Sequence, residues 1–380
     1  MGTNFNRLPE WLPPVIILAG VALLSAGIIV FLTSRPEYSA AAIPATPVPT
    51  QAAVPTPTQT PMPAIAMSLD SPPPTPAAIS PLPTPITTLP LPIPAASEPT
   101  LVPTVAATSA LASDSALIFD GDTAYQYVLG QTALGPRPTG SEAGWAAGDY
   151  IITALEQQGW AVETQEFLFK GVKGRNIVGR RGSGPIIILG AHYDTRPAAD
   201  KDPDPAKRSE WIEGANDGAS GVAVLLELAR VLEADRLQNE IWLTFFDAED
   251  RGNLDGWPYS VGARHMAGNL TITPQSMVLV DMVGDADQNI FFEGNSNELL
   301  RQEIWAIAAG LGYQAHFIPQ TKFTMIDDHV PFLERGIPAI DIIDFDFPYH
   351  HTTADTADKV APESLERVGR TLEVWLEEKQ

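Results

Sequence analysis

Two adjacent carboxylates, Glu249 and Asp250, follow the apolar run Ile241-Trp242-Leu243-Thr244-Phe245-Phe246. The run is too short for a typical helix and rich in β-formers, so it predicts a buried strand. Acids placed directly after such a strand are costly unless water, a cation or a proton transfer uses them. Neighbouring side chains of a regular strand point to opposite faces, so the chain must turn here if both acids are to serve one site.

The arrangement recurs. Residues 185–189 lead into His192-Tyr193-Asp194, residues 277–280 into Asp281, and residues 339–343 into Phe347-Pro348-Tyr349-His350-His351. Each predicted strand ends in a group able to bind a metal, and sites in open α/β sheets form beyond the carboxyl ends of the strands. Asp217 stands in the Gly-rich stretch 214–221, just before a predicted helix, and can join them. Histidines and carboxylates are among the ligands of zinc. His192 and Asp194 are two apart and face one way on an extended segment, so one can bind metal while the other buttresses it.

Other residues carry plainer readings. Taken alone, the His192/Asp194 pair reads as exposed polar residues and Asp217 as part of a helix-capping loop. Ser220 lacks a Gly-x-Ser-x-Gly elbow and reads as a cap rather than a nucleophile. Residues 285–289 resemble the opening of a calcium loop but lack its later Gly and Glu, and read as a solvated turn. His265 and His316 read as surface residues without partners.

Helices are predicted over residues 123–133, 142–158, 221–232, 260–266, 297–311, 330–334 and 363–378, with a turn-rich break at 135–140. Alternation over 162–169 and around 176–178 predicts a strand hairpin. Strands alternating with helices imply an α/β, three-layer domain over residues 116–380, a mostly parallel central sheet with helices on both faces.

The rest of the chain differs in kind. After a short segment, 1–14, residues 15–33 are expected to form a transmembrane anchor, since 15–32 are all apolar or small and about long enough to cross a bilayer. A cleaved signal is the alternative there. Arg7 against Arg35 favours a cytoplasmic N-terminus, which puts the bulk of the protein outside the cytoplasm. Residues 34–115 are rich in Pro, Ala, Thr and Ser, and read as a disordered stalk. With no cysteine, the chain has no disulfide framework, thiolate metal site or cysteine nucleophile, and its net charge of −23 argues against nucleic acid as a partner.

From about Gly135 onward the sequence resembles the M28 family of zinc-dependent aminopeptidases and, on the same fold, the animal-type glutaminyl cyclases. The family pattern stands in order as His192-x-Asp194, Asp217, Glu249-Asp250, Asp281 and His351. The resemblance implies one or two zinc ions. It matches His192 and Asp281 to one zinc, Asp250 and His351 to the other, and Asp217 to the bridging carboxylate. Asp194 matches the buttress and Glu249 the general acid/base. The family also tends to a cis peptide after the bridging acid, which makes Asp217–Gly218 a candidate.

Asp327-Asp328-His329-Val330-Pro331-Phe332-Leu333 looks like the cyclase signature, in which the acid matching Asp327 shares a proton network with the catalytic Glu. Phe347-Pro348 also looks cyclase-like. The sequence departs from the cyclases at Asp250, where they usually carry Glu, and at His350, where they carry Trp. Trp257 is a candidate for their other pocket Trp. The expected function is therefore action on peptide N-termini as a glutaminyl-peptide cyclotransferase. The alternatives are a zinc aminopeptidase and a receptor-like binding module that has lost catalysis.

Overall fold

The computed structural model describes residues 119–378. The expected anchor and stalk lie outside these residues. No helix among the described residues is long and apolar enough to cross a membrane.

The chain enters through α1 (Gly121–Thr132) and α2 (Glu142–Gln157), then forms the hairpin β1 (Ala161–Phe169) and β2 (Val172–Gly182). Alternating elements follow: β3 (Ile186–His192), α3 (Ala219–Val231), β4 (Glu240–Phe246), α4 (Val261–Asn269) and β5 (Ser276–Asp281). A second run comprises β6 (Ile290–Glu293), α5 (Glu298–Gly310), β7 (Phe317–Phe323), α6 (Val330–Glu334), β8 (Ala339–Ile343) and α7 (Pro362–Glu378). Short polar side chains start three of the helices. Asp120 accepts from Thr123 N, Ser141 from Gly144 N and Asn297 from Leu300 N, caps worth about 1 kcal/mol each.

The main sheet has the order β1-β2-β4-β3-β5-β8. It is mixed and, as expected, mostly parallel, with β2 the one reversed strand. β4, β3, β5 and β8 run parallel, whereas β2 pairs antiparallel with both β1 and β4. The hairpin expected from the alternation is this antiparallel edge. A hairpin leaves no room for a crossover helix, so its second strand must reverse direction.

Side-chain alternation assigns the two faces. Ile187, Leu189, Ile241, Leu243, Val278 and Val280 pack in one core with α1, α2, α3, α5 and α7. Ile188, Trp242, Phe246, Met277 and Leu279 pack in another with α4 and α6. The strands are buried on both sides, which is why they read as unbroken apolar runs.

A two-stranded parallel sheet of β6 and β7 lies outside the main one. The sequence reading contains neither strand. β6 has only four residues, β7 is mostly exposed and contains Pro319, and their register slips around Phe292. The turn at 285–289 is also less solvated than expected: Asp285 and Gln288 are buried, with Gln288 Nε2 donating to Val283 O and Ser364 O. His265 and His316 are half-buried rather than free. His265 lies 5.3 Å from the Phe167 ring, and His316 Nδ1 lies 2.9 Å from Gln288 O.

α3 packs closely on the sheet at Gly221, where a Cβ would lie 2.1 Å from Val280 O. Gly221→Ala is expected to lower the unfolding free energy by about 2–3 kcal/mol. Gly268, in α4, has nothing within 4 Å of a Cβ, so Gly268→Ala should raise it by about 0.5–1 kcal/mol. Chemical unfolding of both variants checks this contrast.

Candidate active site

The carboxyl ends of β3, β4, β5 and β8 bring the site together. His192 ends β3 and Asp281 ends β5. Glu249 and Asp250 follow β4, and His350-His351 follow β8. The turn after β4 runs through Ala248, at φ +63°, a conformation that non-glycine residues rarely adopt. Asp194 holds that turn: Oδ1 accepts from Glu249 N at 3.0 Å, and Oδ2 from Asp250 N at 3.2 Å and from Thr139 Oγ1 at 3.1 Å. Its tie to His192 is weaker than a buttressing carboxylate requires. His192 Nδ1 lies 3.0 Å from the Asp194 backbone oxygen and 3.7 Å from its Oδ1.

Asp217 lies between two histidine groups. Its Oδ1 is 3.2 Å from His192 Nε2, which is also 3.1 Å from Asp281 Oδ1. Its Oδ2 is 3.5 Å from His351 Nε2, which is also 3.0 Å from Asp250 Oδ1. Asp355 fixes the loop by accepting from Asn216 N and Asp217 N at 2.8 and 3.0 Å. Gly218, at φ +99°, packs so tightly that a Cβ would lie 2.6 Å from Asp194 O and 3.3 Å from His192 Cε1. The described residues contain no cis peptide, so the expected cis Asp217–Gly218 bond is trans, and the positive φ of Gly218 makes the turn instead. Ser220 does not cap α3. It donates to Asn216 O at 2.6 Å and accepts from Val283 N at 3.1 Å, while the cap position belongs to Gly218.

The donor set fits a divalent ion. His192, Asp217 and Asp281 each offer a ligand atom within 4.8 Å of the others, and so do Asp217, His350 and His351. Asp217 Oδ2 and Asp250 Oδ2 are buried with no hydrogen-bond partner, an expensive condition that a cation relieves. Burial pushes the His351 imidazole down to about 3, which leaves it neutral and able to offer a lone pair.

His350, which the sequence offers beside His351 but the family pattern does not assign as a ligand, is the third member of the second group. Its Nδ1 lies 3.1 Å from Lys201 Nζ. An ammonium has only protons to give, so His350 Nδ1 accepts, and the ring proton sits on Nε2, facing Asp217 Oδ2 at 3.7 Å. A nitrogen so protonated is not a ligand, which leaves His351 as the better donor.

These groups open into a cavity of about 430 Å³, lined by Glu249, Asp250, Asp281, Asp327 and both histidines. Met325, Ile326, Ile343 and Phe345 add an apolar part to the lining, with the Phe345 ring 5.1 Å from that of His350. Burial, and then the neighbouring Asp327, push the Glu249 carboxyl well above its usual range. Burial and the Asp281 charge do the same to Asp327. Behind them lies Asp341, fully buried and raised by burial and by Asp327. Its sequence signal, an acid inside an apolar strand, is visible in retrospect. Trp257 does not line the cavity; it packs 4.8 Å from the Phe169 ring.

With this geometry in view, comparison with known proteins places the chain. Residues 176–376 match the model of Peptidase family M28. The chain belongs to that family. A crystal structure of Porphyromonas gingivalis glutaminyl cyclase has a TM-score of 0.66 at 34% identity, covering 69% of this chain and 99% of that one. A leucine aminopeptidase precursor from Bacteroides thetaiotaomicron also has a TM-score of 0.66 at 34% identity, covering 70% and 99%. Among curated proteins, the Bos taurus glutaminyl-peptide cyclotransferase is 27% identical over 287 residues, 63% of this chain and 77% of its own length. The chain is thus an M28-type enzyme.

The cavity wall at 324–327 hangs on Glu293, at the end of β6. Its Oε1 accepts from Asn295 N and Met325 N, both at 2.9 Å. Its Oε2 accepts from Ser296 N at 2.7 Å and Ser296 Oγ at 2.9 Å, and lies 3.2 Å from His329 Nε2. Although burial pushes this carboxyl up, these donors hold it at about 2. Glu293→Gln is expected to cost about 2 kcal/mol at neutral pH. A depressed pKa contributes stability above the unfolded-state value, so the deficit should narrow as pH falls from about 4.5 toward about 2. Unfolding curves of both proteins across that range test it.

Proposed function

We propose that the chain is a zinc-dependent glutaminyl-peptide cyclotransferase, converting N-terminal Gln to pyroglutamate with release of ammonia. In this reading His192 and Asp281 hold one zinc position, Asp250 and His351 a second, and Asp217 stands between them. The observation that carries it is that Glu249 and Asp327 line one cavity, each buried and each with a raised pKa. Burial and the nearby Asp327 charge keep Glu249 poised to take and return a proton.

Zinc supplies Lewis-acid polarisation of a carbonyl oxygen when bound. Glu249 takes a proton from the α-amine as its nitrogen attacks the side-chain amide carbon. It then returns that proton to the departing nitrogen, so the C–N bond breaks and ammonia leaves. Asp327 steadies the proton on Glu249, and Asp194 holds the backbone from which Glu249 projects.

Aminopeptidase action is the second reading, favoured by the two ligand groups that share Asp217. There Glu249 takes its proton from water. Mass spectrometry of a Gln-initiated peptide incubated with the zinc-loaded full chain separates the two. Loss of one ammonia is expected; release of the first residue sinks the cyclase reading. Glu249→Gln should lower kcat by about 10²–10⁴-fold, and chelation should abolish turnover until zinc is restored.

Residues 15–33 complete the proposal as an anchor that holds the domain outside the cytoplasm. Membrane fractionation with protease accessibility from the outer side tests this, and full-length protein in the soluble fraction would count against it.

A further inference from the structure

Lys201 is the one fixed cation among the described residues that line the cavity, which it shares with Asp217, Glu249, Asp250, Asp281 and Asp327. Its neighbour Arg196 is spent on Asp200, donating from Nε and Nη2 at 2.7 and 2.8 Å. Lys201 is not neutralised in this way. Among the described residues, no carboxylate lies within the 4.0 Å of an ion pair with its Nζ.

The side chain is nevertheless placed. Its Nζ donates to His350 Nδ1 at 3.1 Å and lies 5.8 Å from the Phe345 ring centroid. Its backbone N–H donates to His351 O at 3.2 Å. One proton of the ammonium is used on His350, which leaves two for a ligand. The cavity that it shares with Phe345 also carries Ile326, which is 64% exposed. A substrate α-amine belongs with the acids, so the residues after it run along the part of the cavity where Phe345 and the Lys201 ammonium lie together.

We infer that Lys201 is a specificity-determining residue that favours peptides carrying a carboxylate in their second or third residue. The inference rests on the reading that the cavity takes peptide N-termini, cyclase or peptidase alike. Without Lys201 the lining acids would favour basic peptides; the ammonium reverses that sign locally.

The test measures binding, so it does not depend on turnover. The zinc-loaded full chain carrying Glu249→Gln is titrated with the peptide amides Gln-Xaa-Ala and Gln-Ala-Xaa, with Xaa as Glu, Gln or Lys. The Glu peptide in at least one series should bind about two- to fivefold more tightly than the Gln peptide, the span of an exposed ion pair. The Lys peptide should bind more weakly than both.

The readout is the ratio of affinities within each variant. Lys201→Met should erase the preference, Lys201→Glu invert it and Lys201→Arg retain it. Raising salt from about 0.05 to about 0.5 M should shrink it. An unchanged ratio in Lys201→Met, or tightest binding of the Lys peptides by Glu249→Gln alone, overturns the inference.

Turnover by the parent chain separates the two claims. Ordered binding without cyclisation or cleavage would sink the proposed function and leave this inference standing. Turnover without the order would do the reverse, and absence of any peptide binding would overturn both.

Discussion

The carboxylate of Asp194 makes the site possible. Through Oδ1 and Oδ2 it accepts the backbone N–H groups of Glu249 and Asp250, at the point where β4 has just ended and its ladder no longer uses them. Buried amide donors without acceptors are costly, so an acid at the end of β3 and a turn after β4 stabilise one another. The turn carries Glu249 and Asp250 to one cavity, which a straight strand forbids. His192, Asp194, Glu249 and Asp250 thus behave as one assembly on two neighbouring parallel strands.

The assembly is held against electrostatic and conformational cost. Glu249, Asp250, Asp327, Asp328 and Asp341 are all buried, and burial raises the carboxyl of each. Ala248, Met282 and His351 take left-handed backbone conformations directly beside these residues. Strain and desolvation of this kind persist only where the surroundings over-determine them. Here the surroundings are a sheet packed on both faces and hydrogen bonds accepted by Asp355 and Asp194.

What the sequence revealed follows from what periodicity encodes. The parallel strands were legible because burial on both faces leaves an apolar run, and the acids after them stood out against it. The hairpin was legible from alternation, but its antiparallel join to β4 was not, since pairing partners leave no mark in local composition. The ligand candidates converge as expected. The role of Asp194 differs: the position was legible, but its main partners are backbone amides that no side-chain pattern announces. Lys201 and Asp355 carried no signal, because each lies in an ordinary polar loop. The β6/β7 pair was missed because four residues and a proline-broken strand fall below what periodicity resolves.

That small annex sheet shares the molecule's labour. The floor of the cavity belongs to the main sheet, while the wall at 324–327 is hung from Glu293 on a separate pair of strands. Alterations to the annex therefore reach both the admission of molecules, through Met325 and Ile326, and the acids beneath, through Asp327. The gatehouse of this enzyme and the acids of its floor are thereby bound to change together.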